Sequence, residues 1–430
     1  MLWILYNILF PVGFLLLLPR FLVRMVRRGG YARRFVERFG FYNSGTRKKL
    51  IQGGRLWIHA VSVGEIFVAL RFIEEYRNLH PDAKFVLSTT TSTGRKIAEE
   101  NIKEEDVLIY FPLDFPFVMR RVLEIIHPRM LILVECELWP NLIRLAKRRG
   151  IPVALINGRI SEHSYRGYRK LRMFTRPLLA QADLLCVQSK REKEMLVDLG
   201  ADEKRLHILS SAKYDITPLG NDGEEKALAV LRQAGVKDGE PVLLGGSTWP
   251  GEEAALLDFY KENRGRFPGL RLVLVPRHFE RSDEVQREIE SHGFAALRRS
   301  RLPEGTASPD SVLLVDTTGE LRCFYAVATV IFVGKSLTDH GGQNIIEPAQ
   351  CGKPIVVGPY MENFPVIIRD FLAAEAIVQV RDAGDFMAEV SRLLADSQAR
   401  ASLGERAQRL VLEKSGAIKK TIALVDKLLS

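Results

Sequence analysis

The sequence predicts an α/β protein that contains two doubly wound domains and an apolar helix at its N-terminus. From Arg55 onward, short runs of β-branched and apolar residues alternate with amphipathic stretches, as in a parallel sheet covered by helices. A turn-rich run at residues 217–223 interrupts this alternation, which then starts again. With 430 residues, 47% of them hydrophobic, the chain is long enough for two separate cores.

The N-terminal segment, residues 1–49, is predicted to be a single membrane anchor followed by a basic juxtamembrane segment. Residues 1–18 are almost wholly apolar, close to the ~20 residues that a helix needs to cross a bilayer. Positions 20 to 49 hold ten basic residues and one acid, which favours attraction to anionic lipid and keeps the following domains in the cytoplasm. Because Pro11 interrupts a short run, a helix lying in the membrane interface is an equal alternative.

Charge and motifs exclude several classes of protein. The net charge is +10, but ten basic residues against one acid put +9 at positions 20–49, so no nucleic-acid-binding surface is expected. The sequence has no G-x-x-x-x-G-K-[ST], G-x-G-x-x-G, H-E-x-x-H or D-x-D motif, so neither a metal site nor a cofactor is expected. The four cysteines form no C-x-x-C pair, which is typical of free thiols in a reducing compartment.

Both halves of the chain are predicted to alternate strands with helices. In the first domain, residues 50–216, the predicted strands span residues 56–61, 85–89, 107–111, 130–135, 153–157, 184–188 and 206–209. In the second domain, residues 241–401, they span residues 242–245, 272–275, 312–315, 330–333, 355–357 and 377–380. Residues 217–240 are predicted as the linker, and residues 402–430 as a helix that crosses back to the first domain. Two such domains facing a central cleft bind their ligand between the strand ends.

The run His340-Gly-Gly-Gln-Asn-Ile-Ile-Glu-Pro348 follows a predicted strand and opens a helix. Paired glycines let a backbone approach a ligand, and free N–H groups at a helix start favour a phosphate, while Glu347 is placed to hold ribose hydroxyls. The spacing also fits an ordinary helix cap, with Asn344 as the cap and Glu347 as the reciprocal carboxylate. Taken alone, the run favours the cap, because capping is commoner than ligand binding.

Charged residues also follow strands of the first domain. Glu65 is placed to take a proton from a hydroxyl, although Ser62 and Glu65 also have the spacing of a capping box. Glu135 and Glu137 need partners at the end of a buried strand, which favours a site over simple packing, although pairing of one of them with an arginine is an alternative. Lys213 is placed to offset negative charge, although a lone lysine is usually a solvated surface group.

Several turns after strands of the second domain have the composition of a phosphate site. Arg277, in Pro276-Arg-His278, is placed to hold a phosphate with two hydrogen bonds. The runs Asp316-Thr-Thr-Gly-Glu-Leu321 and Gly245-Gly-Ser-Thr-Trp249 offer backbone and hydroxyl donors. Together these turns predict a nucleotide-binding domain. In a sugar transfer without a metal, the negative charge of the departing phosphate would have to be stabilised by Arg, Lys and helix dipoles.

These motifs, in this order, resemble those of the bacterial lipopolysaccharide Kdo (3-deoxy-D-manno-octulosonic acid) transferases, which have the GT-B glycosyltransferase fold with two Rossmann-like domains. The resemblance runs from the apolar N-terminus to beyond Pro359 and departs at Gln343, where many relatives have His. Its five motifs are His59-Ala-Val-Ser-Val-Gly-Glu65, Glu135-Cys-Glu-Leu-Trp-Pro-Asn141, Pro276-Arg-His278, Gly319-Glu-Leu321 and Gly341-Gly-Gln-Asn-Ile-Ile-Glu-Pro348.

The resemblance implies an inverting, metal-independent transfer of Kdo from CMP-Kdo to the tetraacylated lipid A precursor at the cytoplasmic face of the inner membrane. It implies that Glu65 is the general base and that Glu135 and Lys213 stabilise the transition state. The implied CMP-binding residues are Pro276, Arg277, Gly319, Glu320, Leu321, Asn344, Ile345, Ile346 and Glu347. Two alternatives remain: a GT-B transferase that uses another nucleotide sugar on a lipid acceptor, and a non-catalytic membrane-associated scaffold.

Overall fold

The chain divides into two compact units, each built on a parallel sheet. Unit 1 comprises Met1–Asp215 and Ser415–Ser430, and unit 2 comprises Ile216–Lys414. The computed structural model describes residues 2–28, 32–216, 220, 222–302 and 311–430.

The strands are short, apolar and mostly buried on both faces, as expected for parallel sheets. They are β1 Leu56–Ala60, β2 Phe85–Thr89, β3 Val107–Tyr110, β4 Met130–Val134, β5 Val153–Gly158, β6 Leu184–Val187, β7 Leu206–Ile208, β8 Val242–Thr248, β9 Arg271–Pro276, β10 Ala295–Arg298, β11 Ser311–Leu314, β12 Val330–Val333, β13 Ile355–Val357 and β14 Val378–Gln379. The strand order is β3-β2-β1-β4-β5-β6-β7 in unit 1 and β10-β11-β9-β8-β12-β13-β14 in unit 2.

Helices connect the strands and cover the sheets. They are α1 Leu2–Arg28, α2 Ser44–Leu50, α3 Val63–Leu79, α4 Ser92–Asn101, α5 Pro116–Ile126, α6 Pro140–Arg148, α7 Glu162–Lys170, α8 Arg172–Leu179, α9 Lys190–Leu199, α10 Asp222–Gln233, α11 Glu252–Asn263, α12 Ser282–Ser291, α13 Leu321–Val327, α14 Ile346–Gln350, α15 Pro365–Ala373, α16 Ala383–Ala395, α17 Ser397–Lys414 and α18 Ala417–Leu429. Short 3-10 turns span Ala32–Phe39, Glu203–Arg205, Ala212–Tyr214, Phe279–Arg281 and Arg299–Arg301.

Each sheet has one topological switch point, between β1 and β4 in unit 1 and between β8 and β12 in unit 2. At a switch point the chain leaves the two neighbouring strands towards opposite faces of the sheet, which opens a crevice at their carboxyl ends. Glu65 follows β1 and Glu135 follows β4. The sequence therefore puts the two carboxylates on either side of the crevice in unit 1.

Every predicted strand forms, but three features of the chain differ from the prediction. The edge strand β10 was not predicted, because Ala295 and Ala296 carry little β propensity. Helix α10 occupies much of the expected linker and packs on α13, while residues 217–219 and 221 lie outside the described residues. Residues 402–430 do not form one helix, because the chain breaks at Gly416, whose φ is 90°; α17 belongs to unit 2 and α18 to unit 1.

The expected basic juxtamembrane segment is partly folded into unit 1. Glu37 is buried, and it accepts hydrogen bonds from Arg95 at 3.0 Å and from the N–H of Tyr110 at 2.9 Å. Arg38 is also buried and donates to the carbonyl of Thr90 at 2.7 Å. The side chains at positions 19–33, including the basic residues predicted to contact lipid there, are outside the described residues.

Helix α1 packs on unit 1 through one face only. Phe10 and Phe14 lie edge-on against Phe115, with ring centroids 5.2 and 5.6 Å away. The opposite face exposes seven large apolar side chains: Ile4, Leu5, Ile8, Leu9, Val12, Leu15 and Leu16. The predicted membrane-spanning anchor is not supported, since no helix within the described ranges is both long enough and apolar enough to cross a bilayer.

Candidate active site

Glu65 lies at the carboxyl end of β1, in the first turn of α3, and is buried. Its two carboxylate oxygens accept the N–H of Val61 at 2.8 Å and the N–H of Ser62 at 3.3 Å. The Ser62 hydroxyl accepts the N–H of Glu65 at 3.3 Å, so the capping box is formed. Because a carboxylate has about four lone-pair sites, these two bonds leave acceptor capacity, and capping does not exclude proton transfer.

Glu135 directly follows β4 in a left-handed backbone conformation, with φ at 60°. Its N–H donates to the carbonyl of Ile156 at 2.9 Å, so the neighbouring strand holds the residue in this uncommon conformation. Burial raises the pKa of the Glu135 carboxyl and the charge of Glu65 raises it further, whereas Arg159 and Lys213 lower it. Glu135 therefore interacts with Glu65 beside two cations.

Lys213 lies in the 3-10 turn Ala212–Tyr214, which follows β7. The Oδ1 atom of Asn157, in β5, accepts the N–H of Ala212 at 2.9 Å and ties this turn to the same edge of the sheet. Burial lowers the pKa of the Lys213 ammonium, the charge of Glu135 opposes this effect, and Arg159 adds to it. The structure thus brings Glu65, Glu135 and Lys213 into one cluster of charges.

Glu137 and Arg159 complete this cluster. The sequence indicated a site at Glu137 without assigning it a role, and it did not indicate Arg159. Burial raises the pKa of Glu137 to about 7, and the charges of Glu65 and Glu135 contribute to the increase. The indole N–H of Trp139 donates to Glu137 Oε2 at 2.9 Å and partly opposes it. Near neutral pH the Glu137 carboxyl is therefore protonated for much of the time. Spacing along the chain could not reveal this raised pKa, because its largest cause is the burial of the Glu137 carboxyl in the folded chain.

His59 is fully buried in β1 and stacks on Phe111, with ring centroids 3.7 Å apart. Its Nδ1 lies 3.1 Å from the carbonyl oxygen of Ser88, which requires the proton on Nδ1. Burial lowers the pKa of His59 to about 3, so the ring is neutral. Within the described structure, Nε2 is buried without a hydrogen-bond partner. His59 is therefore a neutral packing group near pH 7, and not an acid or base.

The predicted CMP-binding segments of unit 2 follow three strands that lie close together in the sheet. Pro276 is the last residue of β9, and Arg277 follows it. Gly319–Leu321 follows β11, and residues 344–347 follow β12. The N–H of Arg277 donates to the carbonyl of Thr248, at the end of β8, at 3.1 Å. The Arg277 side chain is exposed, and so it is accessible to a ligand at this edge.

In the segment 319–321, the glycine allows an uncommon backbone conformation, and the other two side chains make contacts within unit 2. Gly319 has a φ of 86°, which favours glycine, and the position of a Cβ there is open space. The carboxylate of Glu320 accepts hydrogen bonds from the Thr317 hydroxyl and from Arg299, whose Nη2 lies 3.1 Å away. Glu320 is therefore already engaged within unit 2. Leu321 begins α13 and packs over Gly246, where a Cβ would meet it at 3.3 Å.

The run from Gly341 to Pro348 does not form the helix cap that its spacing favours. Helix α14 begins at Ile346 and has five residues, and its N-cap position is Ile345. Asn344 Oδ1 accepts the N–H of Ile346 at 3.1 Å, so this N–H is not available to a phosphate. The side chains of Ile345 and Ile346 are fully buried, and only their backbone can contact a ligand.

Glu347 is half-buried beside two arginines. Burial raises the pKa of its carboxyl, while Arg322, a hydrogen bond from Asn344, and Arg277 lower it. Arg322 was not predicted, because it lies one residue beyond the Gly319–Leu321 motif. The structure therefore brings Arg277, Asn344 and Glu347 together, as a cation, an amide and a carboxylate at one edge of the sheet.

A second buried carboxylate organises the turns at the switch point of unit 2. Glu252, the first residue of α11, is fully buried and accepts four backbone N–H groups. The donors are Trp249 at 2.9 Å, Lys335 at 2.8 Å, Ser336 at 2.8 Å and Leu337 at 2.9 Å. The Lys335 ammonium also lies 4.5 Å from the centroid of the Trp249 ring. Glu252 thereby joins the turn after β8 to the turn after β12.

Two family models and several known proteins match the chain. A family model described as 3-deoxy-D-manno-octulosonic-acid transferase (kdotransferase) matches residues 33–216, and a model described as glycosyl transferases group 1 matches residues 313–410. The 3-deoxy-D-manno-octulosonic acid transferase of Haemophilus influenzae is 31% identical over 403 residues, which cover 93% of this chain and 92% of that protein. The protein of that name from Bordetella pertussis is 32% identical over 415 residues, 94% of each chain.

A solved structure supports the fold. The crystal structure of a glycosyltransferase from Rickettsia africae covers 88% of this chain and 99% of its own, with a TM-score of 0.57 and 12% identity. That identity is informative for the fold alone, whereas the two relatives align over nearly their full length. The protein is a glycosyltransferase, and it belongs to the 3-deoxy-D-manno-octulosonic acid (Kdo) transferase family.

Proposed function

We propose that this enzyme transfers Kdo from CMP-Kdo to the tetraacylated lipid A precursor at the inner membrane, without a metal, with inversion at the anomeric carbon and with Glu65 as general base. The observation that carries the proposal is the cluster of Glu65, Glu135 and Lys213 beside the switch point of unit 1. This edge of a doubly wound sheet is where such folds bind ligands. In unit 2, Arg277 and Glu347 offer a cation for the phosphate of CMP and an acceptor for its ribose hydroxyls.

In the proposed reaction, the acceptor hydroxyl oxygen attacks the anomeric carbon of Kdo from the face opposite to CMP. The new C–O bond forms while the bond from that carbon to the phosphate oxygen breaks, and CMP leaves with the bonding electron pair. Glu65 takes the proton of the hydroxyl. Attack from the opposite face inverts the configuration of the carbon.

Side chains meet the charges that develop in this reaction. Glu135 stabilises the positive charge that builds on the sugar ring in an oxocarbenium-like transition state. Lys213 and Arg159 offset the accompanying negative charge. Arg277 holds the phosphate with two parallel hydrogen bonds. A nucleoside monophosphate carries less charge than a diphosphate leaving group, so these cations suffice without a metal.

We also propose that α1 lies along the membrane surface, where the acyl chains of the acceptor are anchored. Its outward face carries seven exposed apolar side chains, from Ile4 to Leu16. Moving a leucine-sized side chain from water to lipid contributes about 1.5–3 kcal/mol when it is fully buried, and amphipathic helices bind interfaces in this way. The exposed Arg47 and Lys48 add attraction to anionic headgroups.

Glu65→Gln should lower the rate of Kdo transfer by about 10²–10⁴-fold, the usual contribution of a positioned general base, and leave the affinity for CMP unchanged. The assay incubates the full chain with CMP-Kdo and the tetraacylated precursor in EDTA and measures the mass of the product. Ser62→Ala breaks the same capping box but keeps the carboxylate, so most of the rate should remain. Equal losses in the two variants would reduce Glu65 to a capping role, and no Kdo transfer by the natural chain would contradict the proposed function.

Arg277→Gln should weaken CMP binding by about 10–100-fold, because hydrogen bonds to a charged group contribute about 1.5–3 kcal/mol. Isothermal titration with CMP measures the change. Arg287→Gln, an exposed arginine on α12, serves as the control and should bind CMP normally. A natural chain that binds UDP more tightly than CMP would contradict the assigned donor.

The pH dependence of transfer should report the ionisation of Glu137. As the pH rises through about 7, this carboxyl loses its proton and adds negative charge beside Glu65 and Glu135, which repels the anionic donor. We expect kcat/KM for CMP-Kdo to fall above pH 7, and Glu137→Gln to remove that decrease. The exposed Glu74, changed to Gln, is the matched control.

The pH dependence of stability provides a second test of the raised pKa of Glu137. The folded-state pKa is raised from 4.5, so the contribution of Glu137 to stability is complete below pH 4.5 and is lost as the pH rises through about 7. The thermal midpoint of Glu137→Gln should therefore exceed that of the natural chain by more at pH 8 than at pH 5. A constant difference would show that the Glu137 carboxyl keeps its ordinary pKa.

Ile8→Ser with Leu16→Ser should reduce binding to vesicles that contain phosphatidylglycerol by at least about tenfold. In the natural chain both exposed apolar side chains move from water into lipid, and the serines lose that favourable transfer. Vesicle flotation measures the bound fraction. The control pair, Leu79→Ser with Leu412→Ser, removes two equally exposed apolar side chains from α3 and α17 and should leave binding unchanged. Equal binding by the two double variants would contradict an interfacial role for α1.

A further inference from the structure

Asp114 is a fully buried carboxylate that lies just before α5 and caps a different helix. Its oxygens accept the N–H of Asn141 and the N–H of Leu142, both at 2.9 Å. These N–H groups belong to the first turn of α6, whose own N-cap residue, Trp139, makes no side-chain capping bond. Asp114 therefore supplies the cap of α6 from outside the helix.

The same carboxylate also binds α1. The hydroxyl of Tyr6 donates to Asp114 Oδ2 at 2.9 Å. The side-chain amide of Asn141 donates to the carbonyl of Asp114 at 2.6 Å and to Asn7 Oδ1 at 2.7 Å. Two adjacent residues of α1 thus contact the two residues that set the start of α6. The ring of Tyr6 also stacks on Phe10, with centroids 5.4 Å apart, so the packing of α1 fixes the direction of its hydroxyl.

The start of α6 is also the end of the loop that carries the acidic cluster. Only residues 135–139 separate the last residue of β4 from Pro140, and this loop contains Glu135 and Glu137. Its first residue is held by the bond from the Glu135 N–H to Ile156. Its other end adjoins α6, so the contacts that fix Asn141 also fix this end of the loop. In a loop this short, a shift of the helix start moves the carboxylates with it.

We propose that Tyr6, Asn7, Asp114 and Asn141 form a latch through which the docking of α1 sets the position of loop 135–139. Tyr6 and Asn7 are positioning residues, since they act through Asp114 and Asn141 and not on substrate. The outer face of α1 is the surface proposed above to enter the membrane. Binding of α1 to lipid is therefore coupled to the ordering of the acidic loop 135–139. The effect on catalysis rests on the proposed Kdo transfer, whereas the ordering of the loop does not.

The test removes the latch from the side of α1 and leaves the cap of α6 intact. The double variant Tyr6→Phe with Asn7→Ala keeps the aromatic stack on Phe10 but removes two hydrogen bonds. Because the start of α6 loses two hydrogen bonds to α1, amide exchange in peptides covering residues 135–142 should become about tenfold faster. Hydrogen–deuterium exchange of the full chain on phosphatidylglycerol vesicles measures this. The kcat for transfer should fall several-fold, while KM for CMP-Kdo stays within about twofold of the natural value.

Tyr76→Phe is the matched control, because it removes another tyrosine–aspartate hydrogen bond, to Asp426, at the far end of α3. It should change neither exchange in residues 135–142 nor kcat. Unchanged exchange in the double variant would overturn the latch. Faster exchange with an unchanged kcat would overturn its positioning role. If the natural chain transferred no Kdo at all, the proposed function would fail, and the exchange measurement would still decide the latch.

Discussion

The arrangement of both units depends on one constraint: all strands of a parallel sheet end at the same edge. Pairing of β1 with β4, from Leu56 opposite Met130 to His59 opposite Leu133, brings Glu65 and Glu135 to neighbouring positions although they are distant in sequence. The buried strands form a rigid platform, and such a platform can hold a left-handed residue such as Glu135 that a flexible loop would release. Hydrophobic burial in the sheet thus determines the geometry of the charged cluster.

Burial also determines the charge state of that cluster. Three glutamates with three full charges would repel one another strongly in a poorly solvated crevice. Lys213 and Arg159 reduce this repulsion, and the raised pKa of Glu137, which favours its neutral form, reduces it further. The cap around Glu65 contributes in a different way, because the N–H groups of Val61 and Ser62 fix the direction of the carboxylate. The carboxylate of the capping box is therefore the same group that we propose as the general base.

The sequence predicted what depends on local pattern, and it failed where partners come from elsewhere in the chain. The parallel sheets, the strand-end positions of Glu65, Glu135 and Arg277, and the capping box of α3 follow from apolar runs and short spacings. The pairing of Glu320 with Arg299, the pKa of Glu137 and the contacts of Asp114 depend on residues brought together only by folding. The apparent cap at Asn344 failed for a related reason, since the helix starts two residues later and its first turn is fixed by buried isoleucines.

The carboxylate of Glu252 has a consequence for the exchange of donor specificity between glycosyltransferases. Because one buried group binds four N–H groups in two turns, replacing either turn alone would leave N–H groups without an acceptor, or a buried charge without enough donors. An unpaired charge in such a position is far more destabilising than a lost surface hydrogen bond. Both turns and their shared carboxylate would therefore have to be transferred together between enzymes: residues 247–249, Glu252 and residues 335–337. If unit 2 binds the donor as proposed, new donor preferences should arise by changing side chains on these residues, with their backbone retained.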